Sequence, residues 1–357
     1  MSDIPDESML TPQWLTAQLQ RAGHDVTVQA VQPTQIGTGQ IGKCLRLALE
    51  YQGAAGDAPQ TLVAKLPSDD MQSRMTGVAL RNYLREIRFY EEIAAHLSIR
   101  TPRCYYSAIV DEGPHFLLLL EDLAPAVQGD QLAGTGPLVA SAALQELVGL
   151  HAPSWNNAAL LGFEWLGGGA AADDNAAGNL YRDQLAGFME RYGPDLAADE
   201  RDIIATYGDH IGRLPRPGSA PNSLVHVDFR LDNLMLDEQQ EPPVVTTVDW
   251  QSVTVGAPLN DVAYFIGAGL RKADRRECEE DLVRGYYQGL LAAGIRDYAW
   301  DDCWRDYRLG TFAGFGVTVI ASMLVQQTKR GDQMFQTMAR RHSRHALDLE
   351  AGEFLVS

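Results

Sequence analysis

Hydrophobic spacing divides the chain into a strand-rich first third and a largely helical remainder. Leu45, Leu47, Leu49 and Tyr51 alternate with Arg46, Ala48 and Glu50, the two-residue period of a half-buried strand. "TLVAKLP" predicts a second strand after the turn residues of "GAAGDAPQ", and "CYYSAIVDEGPHFLLLLEDL" predicts two more joined by a Gly-Pro turn. Between these strands Leu80, Tyr83, Leu84, Ile87, Tyr90, Ala94 and Leu97 recur at helical spacing, which predicts one long helix from Met75 to Leu97. Ahead of them "TPQWLTAQLQRAG" carries Thr11 as N-cap, Pro12 at the first helical position and Gly23 past the end.

After a connecting segment, "APAVQGDQLAGTGP", the pattern becomes helical. "LVASAALQELVGLHA" is one helix, and others are predicted at about 180–193, 199–213, 260–270, 274–293 and 303–329. "GGGAAADDNAAGN" reads as a flexible, solvated loop. One stretch interrupts the helices: "SLVHVDFRLDNLMLDEQQEPPVVTTVDWQ" has short apolar runs separated by Asp, Asn and Pro, the pattern of a small hairpin carrying loops. No repeat of fixed period is present. The plan is a small sheet domain over residues 1–123 and a larger helical domain over 124–357.

The glycines of "QIGTGQIGKC" fit three nucleotide-binding patterns. Gly37, Gly39 and Gly42 match G-x-G-x-x-G, and with Lys43 they nearly match a P-loop. Both the dinucleotide fold and the P-loop need a helix after the glycines. Here a strand follows, and Cys44 stands where a P-loop has a Mg²⁺-binding hydroxyl. A strand–loop–strand arrangement is instead how kinase glycine loops cover phosphates. Twenty-three residues after Gly42, Lys65 sits alone in an apolar strand, where an unpaired ammonium is costly. On the following helix Glu86 shares a face with Ala79, Tyr83, Tyr90 and Ile93 and is the chosen partner; Glu91 is the rival.

The strongest signal is "HVDFRLDN" followed by "TVDWQ". His226, Asp228 and Asn233 form H-x-D-x-x-x-x-N, and Asp249 follows Asn233 by sixteen residues at the end of an apolar run. Phosphoryl transfer needs a carboxylate near the acceptor hydroxyl and oxygen ligands that set Mg²⁺ against phosphates. Asp228 can serve as the base, and Asn233 and Asp249 can hold the metal. A metal hydrolase using His226, Asp228, Asp232 and Asp249 is the other reading, but it leaves Asn233, the glycine loop and Lys65 without a role.

Composition narrows the partners. A formal net charge of −18 argues against nucleic acid, which needs clustered Lys and Arg. The four cysteines are dispersed with no C-x-x-C pair, so neither a zinc nor a redox motif is indicated. The N-terminal "MSDIPDESML" has no apolar core, and "FAGFGVTVIASMLV" is short and interrupted for a membrane span, so a buried helix is predicted there. A cytoplasmic protein with reduced thiols and no membrane partner is expected.

With these motifs the chain resembles the aminoglycoside phosphotransferase and choline kinase-like small-molecule kinases, from Ile36 to about Leu270; "HVDFRLDNLM", "TVDWQ" and "NDVAYFIGAGL" carry the likeness. The resemblance implies an α+β, bilobal protein-kinase-like fold with a small antiparallel-sheet N-lobe and a larger, mainly helical C-lobe. It implies that the Gly37–Gly42 loop covers the ATP phosphates, that Lys65 contacts them and is held by Glu86, and that the backbones of Glu121 and Leu123 face adenine. Asp228 would be the catalytic base, Asn233 and Asp249 would ligate Mg²⁺, and Asp261 would brace the catalytic loop. Arg230 could neutralise the γ-phosphate or pair with a nearby carboxylate. Val227 departs from the family, which has Gly between the His and the catalytic Asp, and Val does not easily adopt positive φ. Asp249-Trp250-Gln251 stands where protein kinases have D-F-G. The expected activity is ATP- and Mg²⁺-dependent phosphorylation of a small-molecule hydroxyl. Acidic stretches such as "AADDN", "RRECEEDL" and "AWDDC" would suit an amine-bearing acceptor. The competing expectation is a catalytically weak nucleotide-binding protein of the same fold.

Overall fold

The computed structural model describes residues 6–37, 41–167, 176–211 and 221–356. The chain divides into two compact units. The first comprises Met1–Ala95, Thr101–Pro125 and Asp249–Ser252; the second comprises His96–Arg100, Ala126–Val248 and Val253–Ser357.

The first unit is built on five antiparallel strands: β1 (Val28–Ile36), β2 (Gly42–Tyr51), β3 (Thr61–Pro67), β4 (Cys104–Ile109) and β5 (Phe116–Glu121), in the spatial order β1-β2-β3-β5-β4. Helix α1 (Pro12–Arg21) begins as its sequence indicates, with the Thr11 hydroxyl accepting from Trp14 N–H. It packs Leu15 and Leu19 onto one sheet face with Leu45, Leu47, Leu62, Ala64, Leu117 and Leu119. The other face carries Phe116, Leu118 and Leu120, covered by Tyr83 and Ile87. Strand β5 is thus buried on both sides, which is why it reads as an unbroken apolar run rather than an alternating one.

The helix expected from Met75 to Leu97 is not continuous. Helix α2 (Met71–Ala79) stops, Arg81 takes a left-handed φ of 57°, and α3 (Asn82–Arg88) begins again, running into a π turn at Phe89–Ile93. Two tertiary hydrogen bonds favour the break: Asn82 Nδ2 donates to Gln251 O at 3.0 Å, and the Tyr83 hydroxyl donates to Ile41 O at 2.6 Å. The restart buries Tyr83, Leu84, Glu86 and Ile87 on one side of α3.

The second unit is mainly helical: α4 (Pro137–Ser154), α5 (Ala158–Leu161), α6 (Ala176–Tyr192), α7 (Ala198–His210), α8 (Leu259–Gly269), α9 (Lys272–Ala292), α10 (Trp300–Gly310), α11 (Ala313–Leu324), α12 (Lys329–Asp348) and α13 (Glu353–Val356). The helix expected at 303–329 is therefore two, parted at Thr311 and Phe312, and the long amphipathic α12 follows them. The apolar run seen in the sequence lies largely in α11, whose Phe315, Thr318, Val319 and Ser322 are buried. Helix α8 is apolar nearly all round and buried along almost its whole length, the mark of a central helix. The sheet insert comprises β7 (Ser223–Val225) paired with β10 (Thr254–Gly256), and β8 (Leu234–Asp237) between β6 (Val127–Gln128) and β9 (Val244–Thr247). The predicted hairpin is β8–β9, and the segments that leave β7 and β9 carry the candidate chemistry.

Candidate active-site residues in the two units

In the first unit the two-residue period of β3 decides where Lys65 points. Leu62, Ala64 and Leu66 belong to the core under α1, so Lys65 faces the α3 side. There its Nζ lies 2.7 Å from Glu86 Oε2 and 2.7 Å from Asp249 Oδ1. Glu86 is 2% exposed, whereas Glu91 pairs with Arg88 and Ser107 instead. Burial works against the ammonium, but the Asp249 and Glu86 carboxylates outweigh it and hold Lys65 well above its ordinary pKa. Burial likewise raises the Glu86 carboxyl, against the pull of Lys65. The 2.7 Å contact fits an ammonium shared by two carboxylates.

Asp249 is fixed by its neighbours. It adopts φ 67°, its Oδ2 accepts from Gln251 Nε2 at 3.1 Å, and the buried Trp250 stacks on Phe89 at 3.8 Å between centroids. The D-W-Q segment is thereby tied to α3 through side chain and backbone alike. Gln251 was not singled out as a site residue from sequence, and its contact with Asp249 is a local one that D-W-Q spacing could have suggested.

The glycine loop joins β1 to β2 as a hairpin, with Ile36 opposite Cys44. Gly37 takes a φ of 70°, which favours glycine. Gly42 lies against Lys65: a Cβ there would sit 3.2 Å from Leu66 O and 3.3 Å from Lys65 Cε. Gly39 lies outside the described residues. Lys43 pairs with Glu7 and Asp69, a surface arrangement unlike a P-loop lysine. At the expected hinge, Glu121 ends β5 and its N–H is already donated to Arg103 O at 2.8 Å. Leu123 follows in irregular backbone.

In the second unit the loop after β7 is held by α8. The N–H groups of His226 and Val227 donate to the two oxygens of Asp261 at 2.6 and 2.9 Å. Val227 does adopt positive φ, at 72°, despite its branched side chain. The His226 ring lies 3.1 Å from Val248 O, bridging the loop to the end of the hairpin. Asp228, 22% exposed, is held from both sides. Its Oδ1 accepts from Arg230 Nε at 2.9 Å and from the Tyr264 hydroxyl at 2.8 Å, and its Oδ2 accepts from Asn233 Nδ2 at 2.9 Å. Asn233 thus presents its amide nitrogen to Asp228, which leaves Oδ1 as its remaining acceptor.

Arg230 pairs with a second carboxylate besides Asp228, reaching Asp232 Oδ2 at 2.7 Å. Burial is unfavourable to this guanidinium, but Asp228 and the other acidic neighbours outweigh it and raise its pKa. Burial pushes Asp232 up too, yet Arg330 and Arg230 hold its carboxyl below the usual range. Arg330, at the start of α12, and Tyr264 were not assigned roles from sequence. Arg330 lies 98 positions from its partner Asp232, with no motif linking them. Tyr264 lies one helical turn from Asp261 within "NDVAYF", a spacing that could have flagged it.

Part of the acidic stretches is engaged in ion pairs. Glu279 pairs with Arg275 in the core, Glu280 with Arg284, and Asp302 with Arg305. The "AADDN" stretch lies outside the described residues except for its surroundings in α6.

These loops follow the kinase order of glycine loop, strand lysine, helix glutamate, H-x-D-x-x-x-x-N and a later aspartate, and the sequence profile of the ecdysteroid kinase-like family matches residues 37–294. The chain belongs to the ecdysteroid kinase-like family. The family match runs from the glycine loop to the end of α9 and leaves α1 and α10–α13 outside it. Solved structures share the fold. A choline kinase from Cryptosporidium parvum aligns with a TM-score of 0.54 at 10% identity, covering 90% of this chain and 89% of that one. A candidate aminoglycoside phosphotransferase from Ralstonia eutropha aligns with a TM-score of 0.51 at 16% identity, covering 94% and 98%. These neighbours establish the bilobal kinase-like α+β architecture that the motifs implied. Over 43 residues the chain is also 44% identical to human acyl-CoA dehydrogenase family member 11, a match to 12% of this chain and 5% of that protein. The chain thus spans about 5% of the length of the curated relatives it matches.

Proposed function

We propose that this ecdysteroid kinase-like protein transfers the γ-phosphoryl group of ATP to the hydroxyl of a small molecule. The observation that carries the reading is the state of Asp228: a partly exposed carboxylate oriented by Arg230, Asn233 and Tyr264 in a loop pinned by Asp261. A carboxylate so oriented suits an acceptor O–H. As the acceptor oxygen bonds to the γ-phosphorus, the bond from that phosphorus to the β–γ bridging oxygen breaks, and the acceptor proton passes to Asp228. Lys65, kept charged between Glu86 and Asp249, is the cation that would meet the nucleotide phosphates. The glycine loop would cover those phosphates, and the backbones of Glu121 and Leu123 would face adenine.

Among the described residues no three His, Cys, Asp or Glu side chains form a metal cage. Mg²⁺ does not require one, because it takes one or two protein oxygens together with substrate phosphates and water. Asn233 Oδ1 in the second unit and the Asp249 carboxylate in the first are each hard-oxygen donors of the kind Mg²⁺ takes. When bound it would neutralise charge on the phosphates.

The acidic stretches give limited support to an amine-bearing acceptor, since Glu279, Glu280 and Asp302 among them are paired with arginine. The acceptor is better defined by a panel. ADP release is measured with MgATP and pools of aminoglycosides, choline-like alcohols, sugars, nucleosides, macrolides and steroid alcohols, with D228N as control. Stimulation by one pool, lost in D228N, supports the reading and names the acceptor class. Nucleotide binding with no turnover that depends on Asp228 would instead favour a catalytically weak nucleotide binder.

A further inference from the structure

We propose that Tyr264 is a positioning residue for the reaction, acting through Asp228; the inference rests on the reading of Asp228 as base. A buried phenol needs an acceptor for its hydroxyl. Tyr264 is fully buried, and its hydroxyl donates to Asp228 Oδ1 at 2.8 Å. Another fully buried phenol of the same core, Tyr181, spends its hydroxyl on a backbone carbonyl, that of Ile204, at 2.9 Å. That bond serves packing; the Tyr264 bond falls on a reacting group.

The placement comes from one helix. Asp261 and Tyr264 are three residues apart on α8 and so share a face. Asp261 fixes the loop backbone through His226 and Val227, and Tyr264 fixes the side chain that follows them. The phenol ring is itself held, stacked on His342 at 5.1 Å between centroids and 17° between planes. Glycine at position 314 makes room for that imidazole, since a Cβ there would overlap its ring.

The carboxylate is consequently gripped on both oxygens. Asn233 Nδ2 holds Oδ2, Tyr264 holds Oδ1, and Arg230 Nε spans the two at 2.9 and 3.1 Å. Arg230 is tied in turn to Asp232. Without the Tyr264 hydroxyl only the shared Arg230 bond remains on Oδ1, and the carboxylate gains freedom to rotate. Orientation errors of this kind lower turnover more than ground-state binding.

The test compares wild type, Y264F, Y181F, D228N and the Y264F/D228N double variant in ADP release from MgATP. Hydrolysis by water is the readout until an acceptor pool stimulates. Y264F should lower turnover by about tenfold or more while the KM for ATP stays within about twofold. Y181F, which loses a buried hydroxyl from the same core, controls for stability and should retain turnover. In the D228N background Y264F should add less than about twofold, because the two residues act as a unit. Equal loss in Y181F and Y264F, or a full Y264F effect in the D228N background, overturns the proposal. D228N-sensitive turnover that Y264F leaves unchanged sinks the Tyr264 inference alone. Equal turnover in wild type and D228N sinks the Asp228 reading and the inference with it.

Discussion

Val227 holds a conformation that its side chain opposes, and this can be measured. A β-branched residue at φ 72° carries strain on the order of 1–3 kcal/mol. Two hydrogen bonds offset it, from the N–H groups of His226 and Val227 to the Asp261 carboxylate at 2.6 and 2.9 Å. Bonds to a charged acceptor contribute roughly 1.5–3 kcal/mol each, so the pair exceeds the strain and the loop keeps its shape. The prediction concerns two substitutions at this position. At an unstrained site glycine is less stable than alanine by about 0.5–1 kcal/mol, because the unfolded chain gains entropy. At a left-handed φ alanine carries about 1–2 kcal/mol of strain that glycine escapes. V227G should therefore be more stable than V227A by about 0.5–1 kcal/mol, a reversal of the ordinary order. For a unit of this size that is a difference of about 1–4 °C in melting temperature. Calorimetry and urea unfolding followed by tryptophan fluorescence both report it. The same pair made in D261N, where the loop has lost its charged acceptor and can relax, should show a smaller gap. Alanine equal to or more stable than glycine in the wild-type background would refute the strain argument.

Replacing Lys65 with Met leaves Glu86 and Asp249 without their shared ammonium, and breaking a buried pair on one side costs about 3–5 kcal/mol. Urea unfolding should show that loss for K65M and recovery of at least half of it in K65M/E86M; no recovery would mean that Lys65 is not held by Glu86 in the way described. His342 predicts a pH dependence. Burial, with lesser contributions from His345 and Arg341, pushes its pKa down to about 3. The unfolded chain takes up this proton below about pH 6.5 and the folded chain only near the lowered value, so stability falls as pH drops through that window, by up to about 1.4 kcal/mol per pH unit. H342F keeps a ring against Tyr264 and should flatten the decline in melting temperature between pH 6 and pH 4; parallel declines in the two proteins would show that another group is responsible.

What could be read along the chain was candidate chemistry whose reason is local. Lys65 stood out because a lone ammonium in an apolar strand needs a partner, and Glu86 because a carboxylate on an apolar helix face needs one too; the structure joins them. The H-x-D-x-x-x-x-N pattern was legible because its residues lie close together in sequence, in one loop and the short turn Leu231–Asn233. The break between α2 and α3 was not legible, since the hydrophobic period runs through it. It depends on Asn82 meeting Gln251, 169 positions away, and Tyr83 meeting Ile41. Helix α12 did carry a local signal: Thr328 caps Gly331 N–H, and Met334, Phe335, Met338, Ala339, His342 and Ala346 follow at helical spacing. Its basic and histidine-rich composition obscured a stripe that is buried all the same. Tyr264 shows the deeper limit. Its hydroxyl bonds a residue 36 positions earlier, so its role appears only once the β7 loop is known to lie on α8. Asp261 supplies that knowledge, because a buried aspartate that accepts two successive loop N–H groups fixes the loop against the helix. Any donor one turn further along the same face then falls beside the next side chain in the loop. The bracing of the backbone and the orientation of Asp228 are on this view one structural device, and D261N should impair turnover through the same carboxylate that Y264F affects.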